Sequence, residues 1–163
     1  MELITNTYSN DMSESAIGAK AKNLYQLKTL GFRVPDWVVI PYISLLEISA
    51  ESFHDKTATQ INEIIYSFSF PKFYLHKIIS LFPADTLFAV RSSAEDEDGS
   101  GFSFAGQFDS YLNIPKEKLE ENIKKVWHSA FSERVSRYRK THNLKATFNV
   151  SVIIQQIVKA EIS

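Results

Sequence analysis

The chain has 163 residues, 44% of them apolar, with 18 Lys and Arg against 19 Asp and Glu for a formal charge of −1. A chain of this size and composition buries enough apolar surface to fold without a metal or disulfide staple, which excludes a disordered tail protein. The near-neutral balance, with no basic block, leaves no electrostatic footprint for nucleic acid or an anionic membrane.

Cysteine is absent, so disulfides, thiolate nucleophiles and Cys-ligated metals are removed together. The first residues, Met1 to Asn6, lack the positive start and apolar core of a secretory signal. No apolar stretch reaches the roughly 18–20 residues that a bilayer span requires. A soluble, cytoplasmic protein is the expectation.

In chain order, Ile17, Ala21, Leu24, Leu27 and Leu30 recur every three or four positions, which predicts a helix from Ala16 to Leu30 stopped by Gly31 and Pro35. Trp37 to Ile40 reads as a short buried strand closed by Pro41. Helices are expected over Ile43–Ser52, Thr57–Ser67 and Lys72–Leu81, the latter two with stripes at Ile61, Ile64, Ile65 and Phe68, and at Leu75, Ile78, Ile79 and Phe82. Leu87 to Val90 predicts a buried strand that delivers Arg91 at its carboxyl end, followed by a loop from Ser92 to Gln107. Phe108–Ile114 reads as a strand. Pro115 opens one long helix with an inner stripe of Leu119, Ile123, Val126, Trp127, Ala130, Phe131, Val135 and Tyr138. Val150–Val158 closes the chain as a strand.

This order predicts an α+β (mixed α/β) fold in one unit over residues 1–163, with helices packed on a mainly antiparallel or mixed sheet. The end at Lys159 to Ser163, directly after a strand, reads as a break within a longer protein.

Three segments carry chemical potential. Gly18-Ala19-Lys20-Ala21-Lys22-Asn23-Leu24 places small residues and an ammonium at a helix amino terminus, whose half positive charge attracts phosphate. With no Walker-type spacing, the segment taken alone reads as solvated lysines. Arg91 can clamp a phosphate through its guanidinium fork, or form a structural ion pair with one of Glu95 to Asp98; both readings stay open. The glycines of the Ser92–Gln107 loop allow close backbone approach to a ligand, and its carboxylate run lacks calcium-loop spacing. The histidines, His54, His76, His128 and His142, show no paired spacing, and no serine-nucleophile elbow is present.

In combination, Gly18 to Leu24, then Gly31-x-x-Val34-Pro35, then Val90-Arg91-Ser92-Ser93-Ala94 and Ser103-Phe104-Ala105-Gly106-Gln107 resemble one family, the amino-terminal ATP-binding domain of phosphoenolpyruvate synthase and pyruvate, phosphate dikinase. Rifampicin phosphotransferase and glucan dikinases are relatives. The resemblance implies an ATP-grasp-like first subdomain and a kinase or phosphotransferase parent. It implies Lys20 as the ATP-binding lysine and Arg91 as the arginine on the nucleotide phosphates. Ser103, Gly106 and Gln107 would belong to the loop that covers the phosphates, and Gln155, Ile157 and Val158 to the strand leading to the adenine. Glu97-Asp98 lies where the family has a Glu-Asp pair.

Ala19 and Ala21 stand where the family has glycines and Lys22 where it has a small residue, so the first anion loop is stiffer than usual. The resemblance further implies ATP and Mg2+ as cofactors, the metal ligands coming from a second ATP-grasp half outside this sequence. The implied reaction moves the ATP β-phosphoryl group to a histidine on a mobile domain and then to pyruvate. The alternatives are an antibiotic or glucan acceptor, or a non-catalytic nucleotide-binding module.

Overall fold

Trp37, Val38, Val39 and Ile40 are all buried, with no alternation, because the strand they form is covered on both faces. The computed structural model describes residues 4–5, 17–49, 53, 56–94, 108–142 and 149–158. In it this strand, β2 (Trp37–Ile40), runs between β1 (Ile4–Thr5) and β5 (Val150–Gln156). With β3 (Phe88–Ala94) and β4 (Ser110–Ile114) they make a five-stranded sheet in the order β1-β2-β5-β3-β4. Every neighbouring pair is antiparallel. The class is therefore α+β, as the element order predicts.

Alternation along each strand sorts side chains between two apolar cores. Val38 and Ile40 of β2, Phe88, Val90 and Ala94 of β3, and Val150, Val152 and Ile154 of β5 enter the larger core. There they meet α2 (Tyr42–Ser49), α3 (Ala58–Ser67), α4 (Lys72–Ile79), α5 (Leu119–Ala130) and α6 (Glu133–Thr141). On the opposite face Trp37, Val39 and Ile153 pack with Ile17, Ala21, Leu24 and Tyr25 of the α1 region, α1 itself running from Ala19 to Thr29. The sheet is thus a middle layer with helices on each side.

Aromatic side chains build much of the larger core, Trp127 from the predicted helical stripe, while Phe32, Tyr66 and Phe73 are exposed. Phe70 stacks on Trp127 with centroids 5.8 Å apart and on Tyr74 at 5.9 Å. The Trp127 indole N–H donates to the Val150 carbonyl at 3.0 Å, which ties α5 to the start of β5. Burial of the Tyr74 phenol raises its pKa, so it stays a neutral part of the core.

The structure corrects three sequence expectations. β3 continues to Ala94, so Arg91 lies mid-strand and not at a strand end; Ser92, Ser93 and Ala94 keep pairing with Val152, Ser151 and Val150. The single long helix after Pro115 is two helices behind a one-turn 3-10 helix over Lys116–Lys118. Phe131 leaves helical geometry (φ −104, ψ 23) and Ser132 turns extended, its hydroxyl accepting from the Val135 N–H at 3.3 Å. That break lets Phe131 pack edge-on against Phe53, while Val135 stays buried from a new helix axis. The last strand stops at Gln156. Among the described residues no helix is long and apolar enough to cross a membrane.

Candidate functional site

The candidate site lies on the α1 face of the sheet, and Gly18 determines how α1 reaches it. Gly18 has φ +78, a left-handed conformation that side chains rarely adopt, and offers no side chain to cap the helix. A Cβ there would lie 2.4 Å from the Ser93 carbonyl carbon and oxygen and 2.5 Å from its Oγ. The chain therefore passes directly over β3 as the helix starts. One residue after Lys20, the buried Ala21 N–H donates to Ser93 Oγ at 3.1 Å. A backbone group that a helix amino terminus ordinarily leaves orphaned is satisfied by a strand side chain.

Ser93 and Arg91 are two residues apart on β3, so they emerge on the same face with their Cα atoms about 7 Å apart. The register agrees. Arg91 pairs with Ile153, whose side chain packs under α1, and with Ser110 of β4 on the other side. Lys20, in the first turn of α1, and Arg91, on the strand beneath it, thus belong to one face of the sheet. Both are partly exposed. Among the described residues no acidic side chain lies within ion-pair distance of Arg91. The candidate ion-pair partners Glu95 to Asp98 lie outside the described residues, as do Glu97-Asp98 as a motif and Ser103, Gly106 and Gln107.

At the other end of this face, Gln155 is buried opposite Trp37 and Ala89, and Ile157 and Val158 follow the strand. β5 is a central strand, and hydrogen bonding continues past its end. The Gln156 N–H donates to Asp36 O at 2.8 Å and the Ile157 N–H to Leu87 O at 2.9 Å. Val158 is 63% exposed. Gln155, Ile157 and Val158 are therefore distinct environments: a side chain under the sheet face, a tethered backbone and an open position.

The β4 side of Arg91 is fixed by Asp109. Its N–H donates to Ser129 Oγ at 3.1 Å, and its carboxylate accepts from the Tyr111 hydroxyl at 3.1 Å and lies 3.5 Å from Arg134. Partial burial, followed by the charge and hydrogen bond of Asp109, pushes the Tyr111 phenol up to about 12. β4 also carries a bulge against β3, with Asn113 at φ 57, which re-aims its far end.

Sequence reasoning named Lys20 and Arg91 and counted Gly18 among the small residues of the helix start, but gave no role to Ser93. A period-two reading of the strand through Ser93 would have placed that hydroxyl on the Arg91 face; taking Ser92 as the start of a loop concealed it.

A nucleotide-binding class fits a helix amino terminus and two cations on one sheet face. The profile of the pyruvate phosphate dikinase AMP/ATP-binding domain matches residues 14–163, and the chain belongs to that family. It is similar to "Uncharacterized phosphotransferase YvkC" of Bacillus subtilis (33% identical, covering 93% of this chain and 19% of the relative). It also resembles "Rifampicin phosphotransferase" of Bacillus cereus (30%, covering 90% and 20%). A third relative is "Probable phosphoenolpyruvate synthase" of Methanothermobacter thermautotrophicus (28%, covering 88% and 25%). The chain spans a fifth to a quarter of the length of these relatives.

Proposed function

We propose that residues 1–163 form the first subdomain of an ATP-grasp-type ATP-binding region of a phosphoenolpyruvate synthase-like phosphotransferase. The observation that carries this reading is the docking of the Lys20-bearing helix start onto the strand face that presents Arg91. Lys20 and Arg91 neutralise the triphosphate, Lys20 as a point charge reinforced by the helix terminus and Arg91 as a planar fork. Phosphoryl transfer depends chiefly on positioning and charge stabilisation, which is what these groups supply. Ser103, Gly106 and Gln107 serve as the cover over the phosphates. Gln155, Ile157 and Val158 border the adenine. Because the Gln156 and Ile157 N–H groups are engaged, the donor to the base edge falls to Val158.

The reaction of the parent protein consumes ATP, water and pyruvate and yields phosphoenolpyruvate, AMP and phosphate, with the β-phosphoryl carried on a histidine of another domain. None of the four histidines of this chain takes that role. The natural setting is the cytoplasm. For Mg2+, no group of three or more His, Asp or Glu side chains among the described residues could hold the ion. The carboxylates that would hold the ion are expected in the second ATP-grasp half.

A second reading keeps the ATP site and changes the acceptor to an antibiotic or a glucan. The 30% identity to a rifampicin phosphotransferase over the same region supports the antibiotic acceptor as well as the match to a phosphoenolpyruvate synthase supports the first reading.

Calorimetric titration of the full chain with ATP and with adenosine tests the site. Lys20→Ala and Arg91→Ala each weaken ATP binding by more than about tenfold, the cost of losing a charged hydrogen bond, and leave adenosine unaffected. Unchanged ATP affinity in both variants contradicts the assignment.

A further inference from the structure

We infer that Ser93 is a positioning residue for phosphate binding, acting as the latch that holds Lys20 and Arg91 in one register. The inference rests on the ATP-site reading given above and adds a residue to it. Ser93 is fully buried, so its hydroxyl acts on the ligand only through what it holds. It holds the Ala21 N–H at 3.1 Å, between an element that begins with Lys20 and a strand that carries Arg91 two residues away. Gly18 closes the same contact from the helix side, with no room for a Cβ against the Ser93 backbone. Two cations on separate elements bind one polyphosphate well only if the elements cannot slide, since displacements of about 1 Å cost large factors in such sites.

The neighbouring Ser92 provides an internal control. It is equally buried but faces the larger core, where its hydroxyl has no hydrogen-bond partner. Removing the Ser93 hydroxyl thus deletes a bond between the start of α1 and β3, while removing the Ser92 hydroxyl deletes none.

The test is calorimetry of the full chain with ATP and adenosine, well below the melting temperature, for wild type, Ser93→Ala, Gly18→Ala and Ser92→Ala, beside Lys20→Ala and Arg91→Ala. Ser93→Ala is expected to weaken ATP about tenfold with adenosine unchanged, and Gly18→Ala to give the same selective loss with the hydroxyl retained. Ser92→Ala should match wild type for both ligands. If Ser93→Ala does not fold, the Gly18→Ala ratio of ATP to adenosine affinity decides. Wild-type ATP affinity in Ser93→Ala, or equal losses of ATP and adenosine, overturns the positioning role while the Lys20 and Arg91 losses keep the site reading. Undiminished ATP affinity in Lys20→Ala and Arg91→Ala, or no ATP binding by wild type, overturns both.

Discussion

The backbone N–H of Ala21 and the hydroxyl of Ser93, 72 residues apart in sequence, meet at 3.1 Å in the interior of the protein. That bond ties the start of the first helix, which carries Lys20, to the third strand, which carries Arg91. It also explains why small residues crowd the helix start: Ala19 and Ala21 are buried against the sheet, and larger side chains would lift α1 off it.

The two left-handed glycines among the described residues, Gly18 and Gly31, are expected to respond differently to alanine. At Gly31 (φ +86) nothing lies within 4 Å of a new Cβ, so Gly31→Ala carries only the backbone strain, about 1 kcal/mol. Gly18→Ala adds a collision with Ser93 backbone and is expected to cost at least about 1 kcal/mol more. Urea denaturation of the two variants measures the difference; equal costs would show that the α1–β3 contact yields freely.

A cation bracket fastens the turn between α3 and α4. Lys124 Nζ donates to the Phe68 carbonyl, sits 4.9 Å from the centre of the Phe68 ring and pairs with Glu120 Oε1 at 3.2 Å; the same oxygen accepts from the Phe70 N–H at 3.1 Å. Lys124→Met leaves the Phe68 carbonyl without its donor and is expected to cost about 1–3 kcal/mol in denaturant unfolding. Lys125→Met, which breaks a more exposed and better screened pair with Glu121, should cost clearly less than Lys124→Met. Similar losses in the two variants would contradict the role given to burial at Lys124.

Tyr111 supplies a pH signature. Its folded-state pKa, up to about 12, exceeds the ordinary phenol value of about 10, so the folded protein holds that proton more tightly than the unfolded chain. The associated stability is complete below about pH 10 and is lost as pH rises toward 12. Carbon-13 NMR titration should find Tyr111 ionising near 12 in the wild type, and lower but still above 10 in Asp109→Asn, because burial is the larger cause. A Tyr111 titration unmoved by Asp109→Asn would remove the carboxylate from the account.

Helix caps give a further local check. Thr57 and Gln60 form a reciprocal capping box at the start of α3, and Ser132 caps α6 by accepting the Val135 N–H. Thr57→Ala and Ser132→Ala are each expected to lower stability by about 1 kcal/mol in urea denaturation. A neutral Ser132→Ala would mean that the break at Phe131 does not depend on the cap.

Periodicity and terminator residues made most of the fold legible. β2 was readable because four consecutive apolar residues bounded by prolines suit a strand covered on both faces, and α3 because Ile61, Ile64, Ile65 and Phe68 recur at helical spacing. Boundaries that depend on partners distant in sequence were not readable. Ser92 and Ser93 have loop character by composition, but pairing with Ser151 and Val152 makes them strand. The helical stripe from Leu119 to Tyr138 continues across Phe131 with correct spacing, while the need to seat that ring against Phe53 breaks the helix. Within the site, residue type and motif order pointed to Lys20 and Arg91. The hydroxyl that aligns their elements was hidden, because its partner is a backbone N–H, and backbone groups leave no trace in residue identity.

The central claim, that Lys20 and Arg91 act on one polyphosphate, is tested most directly by a double-mutant cycle on ATP affinity with Lys20→Ala, Arg91→Ala and the pair. Groups that share one ligand moiety couple, and the losses are predicted to depart from additivity by more than about 0.5 kcal/mol. Losses that add to within about 0.3 kcal/mol, or a single variant that binds ATP as wild type does, would contradict it.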